Sequence, residues 1–240
     1  HYKPYAKSTG EATNILGQWV QRYGMRRRRR AVARLRPEGR LLDVGCATGL
    51  FLHEMRHYGQ WELFGVEPVS SAARFARENF GLDVFEGMLE EAHFADNFFD
   101  VITLWDVLEH ILEPKQTLLE AYRILKPGGW LVIQVPNPES WQARLFGKYW
   151  IGYDAPRHLF GYPPLVLKKQ LSEVGYEIAA SRCLEGGNSI FWRSLNTWMS
   201  YSGRKESRVL QTIIGYPEIR LLAGPFFALL RSLKLGPSIT

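Results

Sequence analysis

Between residues 40 and 182 short apolar runs alternate with amphipathic stretches, and no other feature narrows the fold of this chain so far. Residues 41–44, 63–66, 82–85, 99–104 and 130–135 read as strands, and 50–58, 70–79 and 117–125 as helices. A helix at 164–174 and a strand at 176–181 complete the series. Neighbouring parallel strands need a long crossover, which such helices supply. The order therefore predicts a doubly wound α/β fold with a mostly parallel sheet and helices on both faces.

Composition fits one globular domain with an appended segment: of 240 residues 46% are apolar and 22% charged, which excludes a disordered or fibrous chain. The longest apolar run, residues 221–230, is 10 residues long, whereas a membrane-spanning helix needs about 20. Cys46 and Cys183 make no disulfide framework and stand in no C-x-x-C pair, which fits a reducing cytoplasm. Without an initiator Met, the chain from His1 reads as a trimmed piece of a longer protein. Three divisions are expected: an N-terminal helical segment at 1–37, a ligand-binding core at 38–185, and an apolar, basic helical insertion at 186–240. The insertion ends in the start of a last strand at 238–240, cut short.

Charge follows these divisions. Residues 1–40 carry 11 Lys/Arg against 2 Asp/Glu, residues 41–185 carry 12 against 20, and residues 186–240 carry 7 against 2. Basic flanks can attract phosphate or a membrane surface, or can be solvated helix faces. Apolar spacing within 11–36 predicts two helices meeting near Gly24. The run Arg26 to Arg30 then fans around a helix axis instead of forming one stripe, which argues against a nucleic-acid partner.

The chemistry starts at the end of the first strand. Leu41-Leu42-Asp43-Val44-Gly45-Cys46-Ala47-Thr48-Gly49 joins a buried strand to a helix through small residues. The crevice at the carboxyl ends of such strands is where open α/β sheets bind ligands. The spacing is G-x-x-x-G, without the dinucleotide pattern or the phosphate-loop lysine, so a ligand lacking phosphates is favoured. Asp43, buried at a strand end, needs an ammonium group or backbone amides. Glu67, ending Gly65-Val66-Glu67-Pro68, can accept both hydroxyls of a ribose. Adenosine joined to an amino acid without phosphate is S-adenosylmethionine.

With these elements in order, followed by Phe99-Asp100-Val101-Ile102, Asp106-Val107-Leu108-Glu109-His110 and Leu125-Lys126-Pro127-Gly128-Gly129, residues 38–182 resemble the class I S-adenosylmethionine-dependent methyltransferases. They are most similar to the ubiquinone O-methyltransferase-like branch. Arg157-His158-Leu159-Phe160 resembles a segment of bacterial members in surface-polysaccharide and other secondary pathways. The resemblance implies a Rossmann-like sheet and a cofactor site of Asp43, Gly45, Cys46, Ala47, Thr48 and Gly49 for the methionine part. Glu67 and Pro68 are then expected at the ribose, Gly87, Met88 and Leu89 at the adenine, and the backbone of Trp105 and Asp106 at the methionine end. Glu86 or Glu90 is expected to face the exocyclic amine. The product would be S-adenosylhomocysteine.

An oxygen acceptor must also lose a proton. Histidine is the side chain suited to this proton transfer, so His110 is the first candidate base and His158 the second; a turn-capping role for His110 is the bland alternative. Asp106, Glu109 and His110 share one face if their segment is helical, and some ubiquinone-pathway relatives place a divalent metal at matching positions. Those relatives carry Glu where this chain has Asp106, and a metal-free site is the expectation. Residues 137–162, dense in aromatic side chains, are expected to act as a lid or to pack the insertion. Tyr5, Trp150, Tyr153 and Arg157 are the expected acceptor contacts, and Tyr2 can reach the same region. The apolar, basic stretch 209–235 suits peripheral membrane contact at the inner face, or cover for its own sheet or a second subunit in a homodimer. Together these readings predict methyl transfer to an oxygen of a quinone-like, lipid-linked or sugar acceptor. A nucleic-acid methyltransferase and a cofactor-binding module without catalysis are the rival classes.

Overall fold

A computed structural model describes residues 15–183, 188–201, 223–232 and 238–239. These residues belong to two compact units, one within His1–Trp105 and Lys115–Val132, the other within Asp106–Pro114 and Ile133–Thr240.

The first unit is built on parallel strands. β1 (Glu38–Val44) pairs on one side with β2 (Gln60–Glu67) and on the other with β4 (Phe99–Trp105), while β3 (Asp83–Glu86) pairs with β2. With β5 (Leu125–Pro136) and β6 (Ser238–Ile239) the sheet order is β3-β2-β1-β4-β5-β6. The order reverses direction between β1 and β4, the switch point at which doubly wound sheets open a ligand crevice. Leu41, Leu42 and Val44 of β1 and Phe99, Val101, Ile102 and Leu104 of β4 are all buried. Covering both faces of the sheet requires apolar side chains on both, hence the unbroken apolar runs.

The helices of this unit are α1 (Ile15–Ala33), α2 (Leu50–Met55), α3 (Ser70–Phe80) and α4 (Pro114–Ile124). α3 buries Ala72, Ala73 and Ala76 and stops where Gly81 turns left-handed at φ 58, its amide returning to the Arg77 carbonyl. α1 corrects the expected pair of helices, because it runs through Gly24 without a break. A helical glycine costs only about 1 kcal/mol against alanine, too little to end a helix that has partners. Its arginines diverge as the spacing requires: Arg29 is buried with its guanidinium 3.2 Å from the Tyr58 ring centroid, while Arg26 and Arg30 are exposed.

In the second unit the stretch 137–162 is structured, not a bare loop. It holds α5 (Trp141–Phe146), capped by the Ser140 hydroxyl accepting the Ala143 amide at 3.2 Å, and a single 3₁₀ turn at Gly147–Tyr149. α6 (Pro164–Val174) begins on a proline and ends at Gly175, as its sequence predicts. Among the described residues of the insertion are the helices α7 (Asn188–Tyr201) and α8 (Gly224–Ser232). Trp141 and Phe146 of α5, Phe191 of α7 and Phe227 of α8 pack as a second aromatic core, Trp141 stacked on Phe227 and Phe146 edge-on to Phe191.

The last strand is present as expected: β6 pairs antiparallel with β5, Ile239 opposite Val135 and Ser238 opposite Pro136. Residues 176–181, expected as a strand, form none. A strand needs a ladder partner for its amides and carbonyls, and the order of strands puts β6 at that end of the sheet. Most of 209–235 lies outside the described residues; within α8, Phe226 and Leu229 are exposed. Among the described residues no helix is long and apolar enough to cross a membrane.

Candidate functional site

The sheet register sets the polar groups of the first unit. Asp43 lies opposite Gly65 on β2 and Thr103 on β4. The Thr103 hydroxyl donates to Asp43 Oδ1 at 2.6 Å. Burial pushes the Asp43 carboxyl up to about 7, against the lowering effects of the Thr103 hydrogen bond and the Arg28 charge. The site thus holds a desolvated acid that a ligand ammonium would ionise. Arg28 of α1 also places its guanidinium 5.1 Å from the centroid of the Trp105 ring, at the end of β4. Neither Thr103 nor Arg28 is predicted from sequence. A lone hydroxyl within the apolar run Val101–Trp105 is a usable signal for Thr103, but Arg28 is hidden among five consecutive arginines.

The glycine loop is fastened to β2 and packs against α3. The amides of Gly45 and Cys46 both donate to the Val66 carbonyl, at 2.8 and 3.1 Å. Gly49 sits at φ 75, and a side-chain carbon there would lie 2.5 Å from Leu82 and 2.9 Å from Ala76, so only glycine lets α2 start against α3. Glu67 is buried and braced: Oε2 accepts the Ala47 amide at 2.8 Å and Oε1 the Val69 amide at 2.9 Å. Each oxygen keeps a second lone pair for a hydroxyl donor. Burial raises its pKa, with the two amides opposing. Cys46 is a buried free thiol, pushed up by burial and by the nearby acids.

At the expected adenine end, Gly87 donates to the Glu67 carbonyl at 3.2 Å, Leu89 is buried and Met88 is exposed. Glu86 is paired with Arg77 at 2.9 Å, and Glu90 accepts the Thr117 hydroxyl at 2.5 Å. Two buried acids, a small-residue loop at a switch point and no lysine for a phosphate fit the ammonium and ribose of S-adenosylmethionine.

The second unit brings other predicted residues together. The turn after β4 is only a 3₁₀ segment, Leu108–His110, so the one-face arrangement of Asp106, Glu109 and His110 does not form. Asp106, at φ 57, instead has its carboxylate held by both bonds of the Gln134 amide, at 3.1 and 2.9 Å. His110 meets His158: the ring centroids are 4.6 Å apart and nearly edge to face. The Glu109 carbonyl accepts the Leu159 amide at 2.8 Å, and the Tyr162 hydroxyl donates to the Leu108 carbonyl at 3.4 Å. Two segments 50 and more residues apart in sequence are thereby joined.

Each imidazole has a fixed tautomer in its neutral form. His110 Nδ1 lies 2.9 Å from the Arg157 carbonyl and His158 Nδ1 lies 2.7 Å from the Gly152 carbonyl. A carbonyl oxygen can only accept, so Nδ1 carries the proton and Nε2 keeps its lone pair. Burial lowers the His158 pKa, in spite of the Gly152 bond. Arg157 forms an ion pair with Asp154. Tyr153 is exposed with its ring edge-on to Trp150, whereas Trp150 is buried between α5 and α7, taking the packing role of the two the sequence leaves open. Tyr2 and Tyr5 lie outside the described residues.

A doubly wound sheet whose switch point holds a phosphate-free glycine loop and two buried acids defines the Rossmann-like, class I S-adenosylmethionine-dependent methyltransferases. Residues 16–181 match the methyltransferase domain family, and the chain belongs to it. Among curated relatives, a ubiquinone biosynthesis O-methyltransferase of Cereibacter sphaeroides is 29% identical over 142 residues, 56% of this chain and 57% of that protein. The enzyme of the same name from Bordetella avium is 25% identical over 180 residues, 68% of this chain and 73% of that one. The match thus spans little more than half the length of the first relative. A solved S-adenosylmethionine-dependent methyltransferase from Thermotoga maritima is similar at TM-score 0.56 and 28% identity, covering 68% of this chain and 75% of that one. Another from Archaeoglobus fulgidus shares the fold across 91% of both chains, at TM-score 0.60 and 21% identity.

Proposed function

We propose that this chain methylates an oxygen nucleophile on a small acceptor of quinone-like, lipid-linked or sugar type. The observation that carries the reading is the His110–His158 pair, with both Nε2 lone pairs left available by hydrogen bonds at Nδ1. The names of the Cereibacter and Bordetella relatives support an oxygen acceptor. Exposed Phe226 and Leu229 on α8 suit a lipid-linked one.

S-adenosylmethionine, when bound, supplies an electrophilic methyl group on a sulfonium. Asp43 and Glu67 would hold its ammonium and ribose, with Ala47 and Val69 amides keeping the Glu67 carboxylate in place. His110 and His158 are proposed to take up or weaken the acceptor's hydroxyl proton. General base assistance of this kind contributes about 10²- to 10⁴-fold.

The test is transfer of labelled methyl from S-adenosylmethionine into cell extract, fractionated into organic-soluble, small polar, polysaccharide and nucleic-acid material. Label in any of the first three supports the reading and selects the acceptor type. Label confined to nucleic acid, or none with cofactor bound, overturns it. In the same assay His110→Ala should lower turnover at least tenfold and leave cofactor affinity within about twofold.

A further inference from the structure

From Val101 to Trp105 β4 is apolar except at Thr103, whose side chain is 0% exposed. Valine has nearly the same shape, suits a strand as well and has no polar group to desolvate, so a hydroxyl at this depth needs a partner. It has one: the hydroxyl donates to Asp43 Oδ1 at 2.6 Å, while the other acceptor in reach, the Leu42 carbonyl, lies at 3.3 Å. We infer that Thr103 is a positioning residue for cofactor binding, which acts through Asp43 by holding one carboxylate oxygen so that the other meets the ligand's ammonium. The inference rests on the assignment of Asp43 to that ammonium, and adds the residue that sets its direction and its charge.

The register leaves this task to Thr103. Asp43 has Gly65 opposite on β2 and Thr103 opposite on β4, so only one of its two cross-strand neighbours carries a side chain. Residues paired in this way point to the same face of the sheet, which brings the hydroxyl and the carboxylate together without a bend in either strand. Asp43 is buried, and among the described residues its Oδ2 accepts no hydrogen bond. A buried carboxylate with one oxygen fixed and the other unmet is half of an ion pair, and a ligand cation completes it.

Charge follows from the same contact. The ionisable groups that face Asp43 are Arg28 of α1, which favours its ionisation, Glu67 of β2, which opposes it, and the Cys46 thiol of the glycine loop, whose own ionisation the Asp43 charge opposes. Of the two influences that favour the carboxylate, the Thr103 hydrogen bond is larger than the Arg28 charge. An O–H donated to a charged oxygen stabilises the anion more than the acid, by about ten- to a hundredfold in an equilibrium. Without it burial would hold the proton on Asp43 to higher pH, and a protonated acid offers an ammonium no charge.

The experiment uses the full chain without cofactor and follows the binding of S-adenosylhomocysteine by calorimetry from about pH 5.5 to about pH 8.5. Wild-type affinity should rise as pH passes through about 7. Thr103→Val should bind about tenfold more weakly or worse at pH 7, with its rise displaced upward by about one pH unit. Thr103→Ser restores the donor and should return affinity to within about threefold of wild type. Methylthioadenosine, which lacks the ammonium, should bind wild type and Thr103→Val within about twofold at every pH. Should Thr103→Val fail to fold, Thr103→Cys, a much weaker donor, carries the same series. Affinity in Thr103→Val within about twofold of wild type at pH 7 overturns the inference. A loss that is equal at every pH, or shared by methylthioadenosine, overturns it too, since a disturbed core would give either. If Asp43→Asn binds S-adenosylhomocysteine as tightly as wild type, the ammonium assignment fails and the role of Thr103 with it. If Asp43→Asn binds weakly and Thr103→Val does not, the role of Thr103 alone fails. The expected shifts in a protein that labels no acceptor support the role of Thr103 and overturn the proposed methyl transfer.

Discussion

The Thr103 hydroxyl donates to Asp43 Oδ1 at 2.6 Å across the β1–β4 pair, holding an acid that burial has pushed up to about 7. The unfolded-state value is near 3.8. Between the two the folded chain binds the extra proton, so the Asp43 contribution to stability is full below about pH 4 and lost as pH rises through 7. A shift of that size corresponds to about 4 kcal/mol. Asp43→Asn keeps an acceptor for Thr103 and removes the titration. Without cofactor, its thermal midpoint should exceed wild type at pH 8 by several degrees, and the difference should shrink toward pH 4. Equal differences at both pH values would count against the burial argument. The same variant should lose cofactor binding by calorimetry, whereas wild-type affinity should rise with pH as the carboxylate ionises.

Glu67→Gln asks whether the braced acid serves the ligand or only the loop. Both carboxylate oxygens accept backbone amides, from Ala47 and Val69. A glutamine presents one oxygen and one NH₂, and the NH₂ must then face an amide donor. Hydrogen bonds to a charged group are worth about 1.5–3 kcal/mol each. Affinity for S-adenosylhomocysteine should fall roughly 10- to 100-fold, beyond what the accompanying drop in thermal midpoint explains. Unchanged affinity with lowered stability would reduce Glu67 to a structural brace.

Gly24 offers a stability gain. It lies inside α1, and a side-chain carbon added there meets nothing within 4 Å. Gly24→Ala removes backbone freedom from the unfolded chain without new contacts in the folded one, so the protein should gain about 0.5–1 kcal/mol. Urea titration measures this directly. A loss would show that the helix needs glycine at this point.

The cofactor half of the candidate site was legible because it rests on local rules. Gly45 and Gly49 stand at positive φ, and Asp43 and Glu67 are acids at the ends of β1 and β2, so each is marked by its neighbours in sequence. The meeting of His110 with His158 was not legible as a contact. Each histidine stands out alone, but the carbonyls that orient them come from Arg157 and Gly152, and backbone partners leave no mark in side-chain patterning. The Asp106 set failed for a related reason. The shared face depends on helical spacing across 106–110, whereas Asp106 takes φ 57 and only one 3₁₀ turn follows. Residues 176–181 have the β-branched and small residues of a strand, and what rules a strand out is the neighbour across the sheet, which one segment's sequence does not contain.

Asp100 tests the opposite end of β4. Its carboxylate accepts the Arg40 amide at 2.9 Å, Arg36 at 2.7 Å and Lys126 at 2.7 Å, and is itself buried at 4% exposure. Burial opposes ionisation here, but the Arg40 amide, Lys126 and Arg36 together hold the pKa below the usual carboxylate range. A side-chain carbon at Gly39, at φ 126, would lie within 2.9 Å of this carboxylate, so the approach of β1 also depends on it. Asp100→Asn leaves two cations sharing a neutral amide. Both cations are partly exposed and water screens them, so the expected cost at pH 7 is about 1–3 kcal/mol and not the full penalty of a buried pair. The sign with pH follows from a lowered pKa: the stabilisation is present above the unfolded value near 3.8 and disappears as pH falls through the folded one. Urea midpoints of wild type and Asp100→Asn should therefore differ at pH 7 and converge once the pH falls below the lowered folded value. A gap that persists undiminished in acid would mean that the variant disturbs packing, and that the ion pairs are not what Asp100 contributes.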